Sequence, residues 1–266
     1  MCSDFEPIAM SSDKTNRHKY GVDTPYWTAV GFYEIVDHLA ANVPGFRFEN
    51  CGSGGSMKDY ATLKRSSYIQ FNDNAHYLHI RASFYASSYA VHPAQLYAPI
   101  NPVHFSDPSL FADGVPEDDY GWRSCIMGAV AIGSWIMHEP GRYPFEMQQY
   151  MEKYLRMYTE KIRPLVRTAD LYHILPRPDE KHWDGLQYYD PDTDNDIKGA
   201  VFLFKPTDIE EADKVIKLKG LDPGKTYTLT FEDRPEQNTA KTGAELMDGF
   251  TVTINEPRGS EIIWIG

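Results

Sequence analysis

Two polar clusters combine residue types that could do chemistry: Glu49-Asn50-Cys51 followed by Gly52-Ser53-Gly54-Gly55, and Asn72-Asp73-Asn74. Each follows an apolar-aromatic run, Phe46 to Phe48 and Tyr68 to Phe71, so each reads as a loop entered from a buried strand. In parallel α/β sheets and barrels, functional groups gather where strands end at their carboxyl side, because the loops there vary while the strands hold them. Glycines at 52, 54 and 55 admit conformations closed to other residues and let a ligand approach the main chain closely. The same glycines suit an ordinary tight turn, or a turn whose N–H groups face an anion. Neither G-x-G-x-x-G nor G-x-x-x-x-G-K-[ST] is present, which argues against phosphate. A further acidic element opens the chain: Cys2-Ser3-Asp4-Phe5-Glu6-Pro7 has acids at alternate positions and reads like the end of a strand whose beginning is missing.

The elements that must position these clusters follow from periodicity and punctuation. Thr24-Pro25 starts a helix in which Val36, Leu39, Ala40 and Val43 keep helical spacing up to Pro44-Gly45. A short helix over Tyr60 to Lys64 separates the two strands, and Ala75 to Tyr89 reads as helix, with Asp73 suited to cap it. His76 and His79 lack a carboxylate or third histidine at ligand spacing and read as surface residues, so no metal is expected. Five prolines between Pro93 and Pro116 predict long loops around a short strand near Leu96 to Ala98. Ser124 to Ile136 is apolar and small, a buried strand or helix, and Pro144 starts a long helix to about Ile162.

Beyond Thr168 the pattern changes to short strands, from Leu171 to Leu175 through Glu261 to Ile265, separated by turns such as Asp222-Pro223-Gly224-Lys225. Asp190, Asp192, Asp194 and Asp196 lack the glycine and closing glutamate of a calcium loop, with Asn195 and Val201 in those places, and read as a solvated hairpin turn.

Composition narrows the partners. The 266 residues carry a net charge of −12, which opposes binding to nucleic acid or to an anionic membrane surface. Aromatic content of 14% supplies faces that can stack on sugar rings, although most of these rings belong to the core. Three cysteines, Cys2, Cys51 and Cys125, form no C-x-x-C pair and imply neither a disulfide framework nor zinc, so a reducing, cytoplasmic setting is the simplest expectation. The sequence lacks both a run of about eighteen apolar residues and a basic-then-apolar N-terminus.

The stretch Glu49 to Gly55, followed by Asp59 and then by Phe71-Asn72-Asp73-Asn74, resembles the α-galactosidases of glycoside hydrolase family 36. That family carries a cysteine-containing S-G-G loop after one barrel strand and an S-D-N or S-D-D element after the next. Cys2-Ser3-Asp4-Phe5-Glu6 matches the family's K-x-D-x-N element in position and partly in residue, and Gly121-Trp122-Arg123 looks like its last barrel strand. The Pro144 helix followed by antiparallel strands is similar to the family's C-terminal β domain. The likeness covers essentially the whole chain, but only the later half of a family member. It implies an α/β then all-β chain: the C-terminal portion of a (β/α)8 TIM-type barrel over residues 1–167, and a small antiparallel β-sandwich domain over 168–266.

The resemblance also implies a retaining α-glycosidase that acts on an oligosaccharide or glycoside and needs no cofactor. By motif position Asp4 is the nucleophile, with Glu6 as its rival, and Asp73 the acid/base. Such a pair stands about 5 to 5.5 Å apart across the scissile bond. Cys51, Ser53, Gly54, Gly55, Asn74 and Glu6 fall at substrate-binding positions. Where the family has lysine before the nucleophile, asparagine after it and arginine after the glycines, this chain has Cys2, Glu6 and Met57. These exchanges alter which hydroxyls can be held, and so bear on the sugar more than on the chemistry. A partial barrel leaves open edges, which implies a homo-oligomer or the missing N-terminal half as partner. The contrasting expectation is a non-catalytic sugar-binding or scaffold remnant.

Overall fold

The structure is a computed structural model that describes residues 2–3, 24–52, 55, 58–72, 76–100, 118–132 and 145–266. Its first layer is a five-stranded sheet of β1 (Cys2–Ser3), β2 (Glu49–Asn50), β3 (Tyr68–Gln70), β4 (Leu96–Ile100) and β5 (Ala129–Ile132), in that spatial order. Every pairing is parallel, with Ser3 opposite Asn50, Asn50 opposite Ile69, Gln70 opposite Tyr97, and Tyr97 opposite Ala129. Parallel neighbours need a crossover, and a helix lies between each successive pair: α1 (Thr24–Asn42), α2 (Tyr60–Leu63), α3 (Tyr77–Ser87) and α4 (Asp119–Cys125).

Local chemistry sets these elements. Helix α1 packs through Val36 and through Phe32, whose ring meets Phe48 edge-on at 5.6 Å, and ends before Gly45 at a positive φ of 73°. Ala40 and Val43, which share the helical spacing, are exposed. Helix α3 begins later than its sequence suggests: the capping role expected of Asp73 falls to His76, whose Nδ1 accepts from the Leu78 N–H at 3.3 Å. Gly121, Trp122 and Arg123 do not form the last parallel strand. They lie in α4, because Asp118 caps that helix by accepting from the Gly121 N–H at 2.8 Å, and the last parallel strand is β5.

The long helix also differs from expectation at its end. Helix α5 (Phe145–Met157) runs through a wider π turn, Tyr158–Ile162, into α6 (Arg163–Thr168) instead of stopping near Ile162. The wider turn accommodates Pro164, which has no N–H for the helical ladder.

After Ala169 the chain is antiparallel. A six-stranded sheet has the order β11 (Thr239–Thr242), β10 (Thr226–Phe231), β13 (Gly259–Ile265), β8 (Gly199–Lys205), β7 (Asp184–Tyr189) and β6 (Asp170–His173). Strands β9 (Asp213–Ile216) and β12 (Phe250–Thr253) pair separately. Strand β11 and the short helix α7 (Gly243–Asp248) were not legible in the sequence; a capping box between Thr242 and Glu245 starts α7.

The six-stranded sheet is covered on both faces, which is why β8 and β13 are buried at every position. Leu186, Tyr188, Phe202, Phe204, Ile262 and Trp264 join the core shared with α3, α4, α5 and α6. Val201, Leu203, Leu229, Ile263 and Ile265 pack with Ile216, Leu246 and Val252 on the other side. No helix among the described residues is long and apolar enough to cross a membrane.

Candidate active site

Because β1, β2 and β3 are parallel neighbours, their carboxyl ends, Ser3, Asn50 and Gln70, lie along one edge of the sheet. The segments containing Asp4, Cys51 and Asp73 continue from these three ends. Of the residues the sequence singles out, Cys51 and Gly55 are described, whereas Asp4, Glu6, Ser53, Gly54, Asp73 and Asn74 lie outside the described residues.

The loop after β2 is built on a buried polar frame. Asn50 is fully buried and its Oδ1 accepts from the Gly52 N–H at 3.3 Å, while the Gly55 N–H donates to the Gly52 carbonyl at 3.1 Å. Cys51 is buried and not in a disulfide. Gly55 has φ +83°, and a Cβ there would lie 2.2 Å from the Gln70 carbonyl oxygen and 2.8 Å from Phe71 Cα. The loop therefore rests directly on the end of β3, an approach that only glycine allows.

Two further side chains bind this region together. The half-buried Lys58 donates from Nζ to the Phe71 carbonyl at 3.0 Å, and burial holds its amine below the usual lysine range. Asp59 caps α2, accepting from the Ala61 and Thr62 N–H groups at 2.9 and 3.0 Å, and takes the Tyr33 hydroxyl at 3.0 Å. Asp59 of the resembling motif thus anchors α2 to α1 in this chain. On β3's far side, Asn72 Nδ2 donates to the His79 carbonyl at 3.0 Å and to Ser83 Oγ at 2.9 Å, which ties the loop after β3 to α3.

A polar row on the sheet face was not foreseen from the sequence. Tyr97 donates its hydroxyl to the Glu49 carboxylate and stands 3.3 Å from Gln70 Oε1, linking β2, β3 and β4. Tyr97 could have been found only from the register that sets it opposite Gln70. A cavity of about 660 Å³ adjoins this row, lined by Glu49, Tyr68, Tyr97, Ala129, Arg163 and Arg167. Its lining continues along β5 through Val130 and Ala131, and Tyr97 lies opposite Gln70 at the carboxyl end of β3. Among the described residues, no group of three His, Cys, Asp or Glu side chains is placed to hold a metal ion.

No protein-family model matches the chain. A probable α-galactosidase C of Aspergillus terreus is 22% identical over 91% of the chain, and an α-galactosidase 2 of Hypocrea jecorina is 23% identical over 92%. The chain spans about 30% of the length of each. Among solved structures, the family 36 α-galactosidase AgaA of Geobacillus stearothermophilus superposes with a TM-score of 0.73 at 18% identity, covering 91% of this chain and 32% of its own. The chain has the fold of the C-terminal part of a family 36 glycoside hydrolase. The α-galactosidase of Lactobacillus brevis has the same fold, with a TM-score of 0.69 at 18% identity over 92% of this chain and 32% of its own. The likeness covers nearly the whole chain, as its motifs suggest, but about a third of a family member where the sequence led to an expectation of half.

Proposed function

We propose that this chain is the C-terminal portion of an α-galactosidase-like glycoside hydrolase acting on α-linked sugars by a retaining double displacement. In this reading residues 1–167 are part of a (β/α)8 barrel and residues 168–266 a β-sandwich domain, and the remaining barrel strands come from an N-terminal half or another copy. The observation that carries it is the side-by-side parallel order of β1, β2 and β3, which brings the chain to the Asp4, Cys51 and Asp73 segments from one sheet edge. Active sites of such sheets form at that edge.

In the reaction, the Asp4 carboxylate attacks the anomeric carbon as Asp73 protonates the departing glycosidic oxygen, giving a glycosyl ester on Asp4. Asp73, now a carboxylate, takes a proton from water, whose oxygen displaces Asp4 and restores both groups. Glu6 is the rival nucleophile. Cys51, Ser53, Gly54, Gly55 and Asn74 contact sugar hydroxyls. Substituted variants of AgaA have been solved with raffinose, stachyose and 1-deoxygalactonojirimycin, which supports an oligosaccharide as substrate here.

Hydrolysis of 4-nitrophenyl α-galactoside by the chain, abolished by Asp73→Ala and by Asp4→Ala, is the expected result. No turnover by the unmodified chain, by itself or supplied with an N-terminal half, would refute a competent site, and retained 1-deoxygalactonojirimycin binding would then leave a non-catalytic sugar-binding protein.

A further inference from the structure

The segments after β2 and β3 are joined at two independent points. Gly55 packs its Cα side on the Gln70 carbonyl and Phe71 Cα, and Lys58 Nζ donates to the Phe71 carbonyl at 3.0 Å. Phe71 precedes Asp73 by two residues, and Lys58 precedes the anchored cap Asp59 by one. One end of this clasp is therefore fixed to α2 and, through Tyr33, to α1. The other end lies on main chain just before Asp73.

We infer that Lys58 is a positioning residue: it clasps the segment after β2 to the end of β3, the strand whose chain leads on to Asp73. This deepens the hydrolase reading and rests on it for the role of Asp73. The Phe71 carbonyl oxygen at that edge is held by a charged donor, and a charge-assisted bond in a half-buried setting is stronger than a neutral one. Burial lowers the amine's pKa below the usual lysine range. The clasp is insensitive to the sugar bound, since Lys58 acts on backbone. Its loss therefore alters the chemical step, which depends on placement to a fraction of an ångström, more than it alters ground-state binding.

The test compares the unmodified chain with Lys58→Met and Lys58→Arg in two measurements. In hydrogen–deuterium exchange, Lys58→Met should accelerate exchange of amides in the 69–76 segment by about 10-fold or more, with the β7–β8 segment unchanged as a control for folding, and Lys58→Arg should restore protection. In 4-nitrophenyl α-galactoside hydrolysis, Lys58→Met should lower kcat by about 10- to 100-fold with KM within about twofold, and Lys58→Arg should recover most of it. Unchanged exchange in Lys58→Met would overturn the clasp whether or not the chain is active. Faster exchange with unchanged kcat would overturn the positioning role. Absence of hydrolysis by the unmodified chain would count against the hydrolase reading and against any positioning of a reacting group, while exchange alone would still decide the clasp.

Discussion

Arg81 and Asp184, 103 residues apart in sequence, form a bidentate ion pair with N–O distances of 2.9 and 3.1 Å between α3 and the antiparallel sheet. Both are almost completely buried. The guanidinium also donates to Ser124 Oγ at 2.9 Å and to the Tyr120 hydroxyl at 2.8 Å, and lies 4.3 Å from the Phe204 ring centroid. Burial pushes the Asp184 carboxyl up to about 6, against the pull of Arg81. The pair thus joins the helices of the parallel layer to strand β7 at one point.

Removing one partner leaves the other charge stranded in the core. Arg81→Met and Asp184→Leu should each cost about 3 to 5 kcal/mol in urea unfolding, and the double substitution should cost less than the sum of the two. Additive losses would show that the pair is not coupled.

Gly55→Ala should disturb the loop after β2. The left-handed φ costs an alanine about 1 to 2 kcal/mol, and the added methyl carbon also meets the Gln70 carbonyl. Urea unfolding should show at least that loss, and hydrolysis should fall with it. A change below about 0.5 kcal/mol would mean that the loop sits elsewhere.

Asp59→Ala should destabilise the chain by about 0.5 to 2 kcal/mol through loss of the α2 cap. Burial raises the Asp59 pKa, but hydrogen bonds from Thr62, Tyr33 and Ala61 outweigh it and hold the carboxyl below its usual value. A depressed acid adds stability above its unfolded pKa, near 3.8, that is lost as pH falls through the folded value. The difference in melting temperature between unmodified chain and variant should therefore shrink below that pH. A constant difference would exclude the titration.

His173 of β6 should make the fold acid-sensitive. Its Nε2 stands 2.9 Å from Ser88 Oγ and its ring stacks on Tyr89 at 4.1 Å, joining β6 to the end of α3. Burial and then nearby Lys219 lower its pKa from 6.5, against a hydrogen bond with the Tyr85 main chain. Below pH 6.5 the unfolded chain takes up the proton more readily than the folded one, so stability declines as pH falls toward the folded value. Melting temperatures from pH 7.5 down to 5 should drop more steeply in the unmodified chain than in His173→Gln. Parallel curves would remove His173 from the account.

Much of the fold was legible because its signals are local. Thr226 to Phe231 alternates exposed and buried residues along the whole of β10, as its sequence period requires. The runs around Phe48 and Ile69 led to β2 and β3, and the Gly52 to Gly55 cluster gave the loop between β2 and α2. Gly121-Trp122-Arg123 misled because its place as a barrel strand rested on the family resemblance alone, and the deciding Asp118 cap is a single hydrogen bond. Tyr97 and Lys58 were not legible as site residues. Tyr97 meets Glu49 and Gln70 only through sheet register, and the Lys58 amine reaches the main chain of a different strand.

By itself, the sequence determined which residues end strands in polar loops and where the chain turns from helix–strand alternation to antiparallel strands. Those properties depend on side-chain period and backbone sterics within a few residues of one another. Tertiary structure alone decided that β1, β2 and β3 lie side by side, that Gly55 and Lys58 bind the end of β3, and that Arg81 meets Asp184. These are contacts between segments far apart in sequence, and their free energy exists only once the parallel layer and the antiparallel sheet have closed around a shared core.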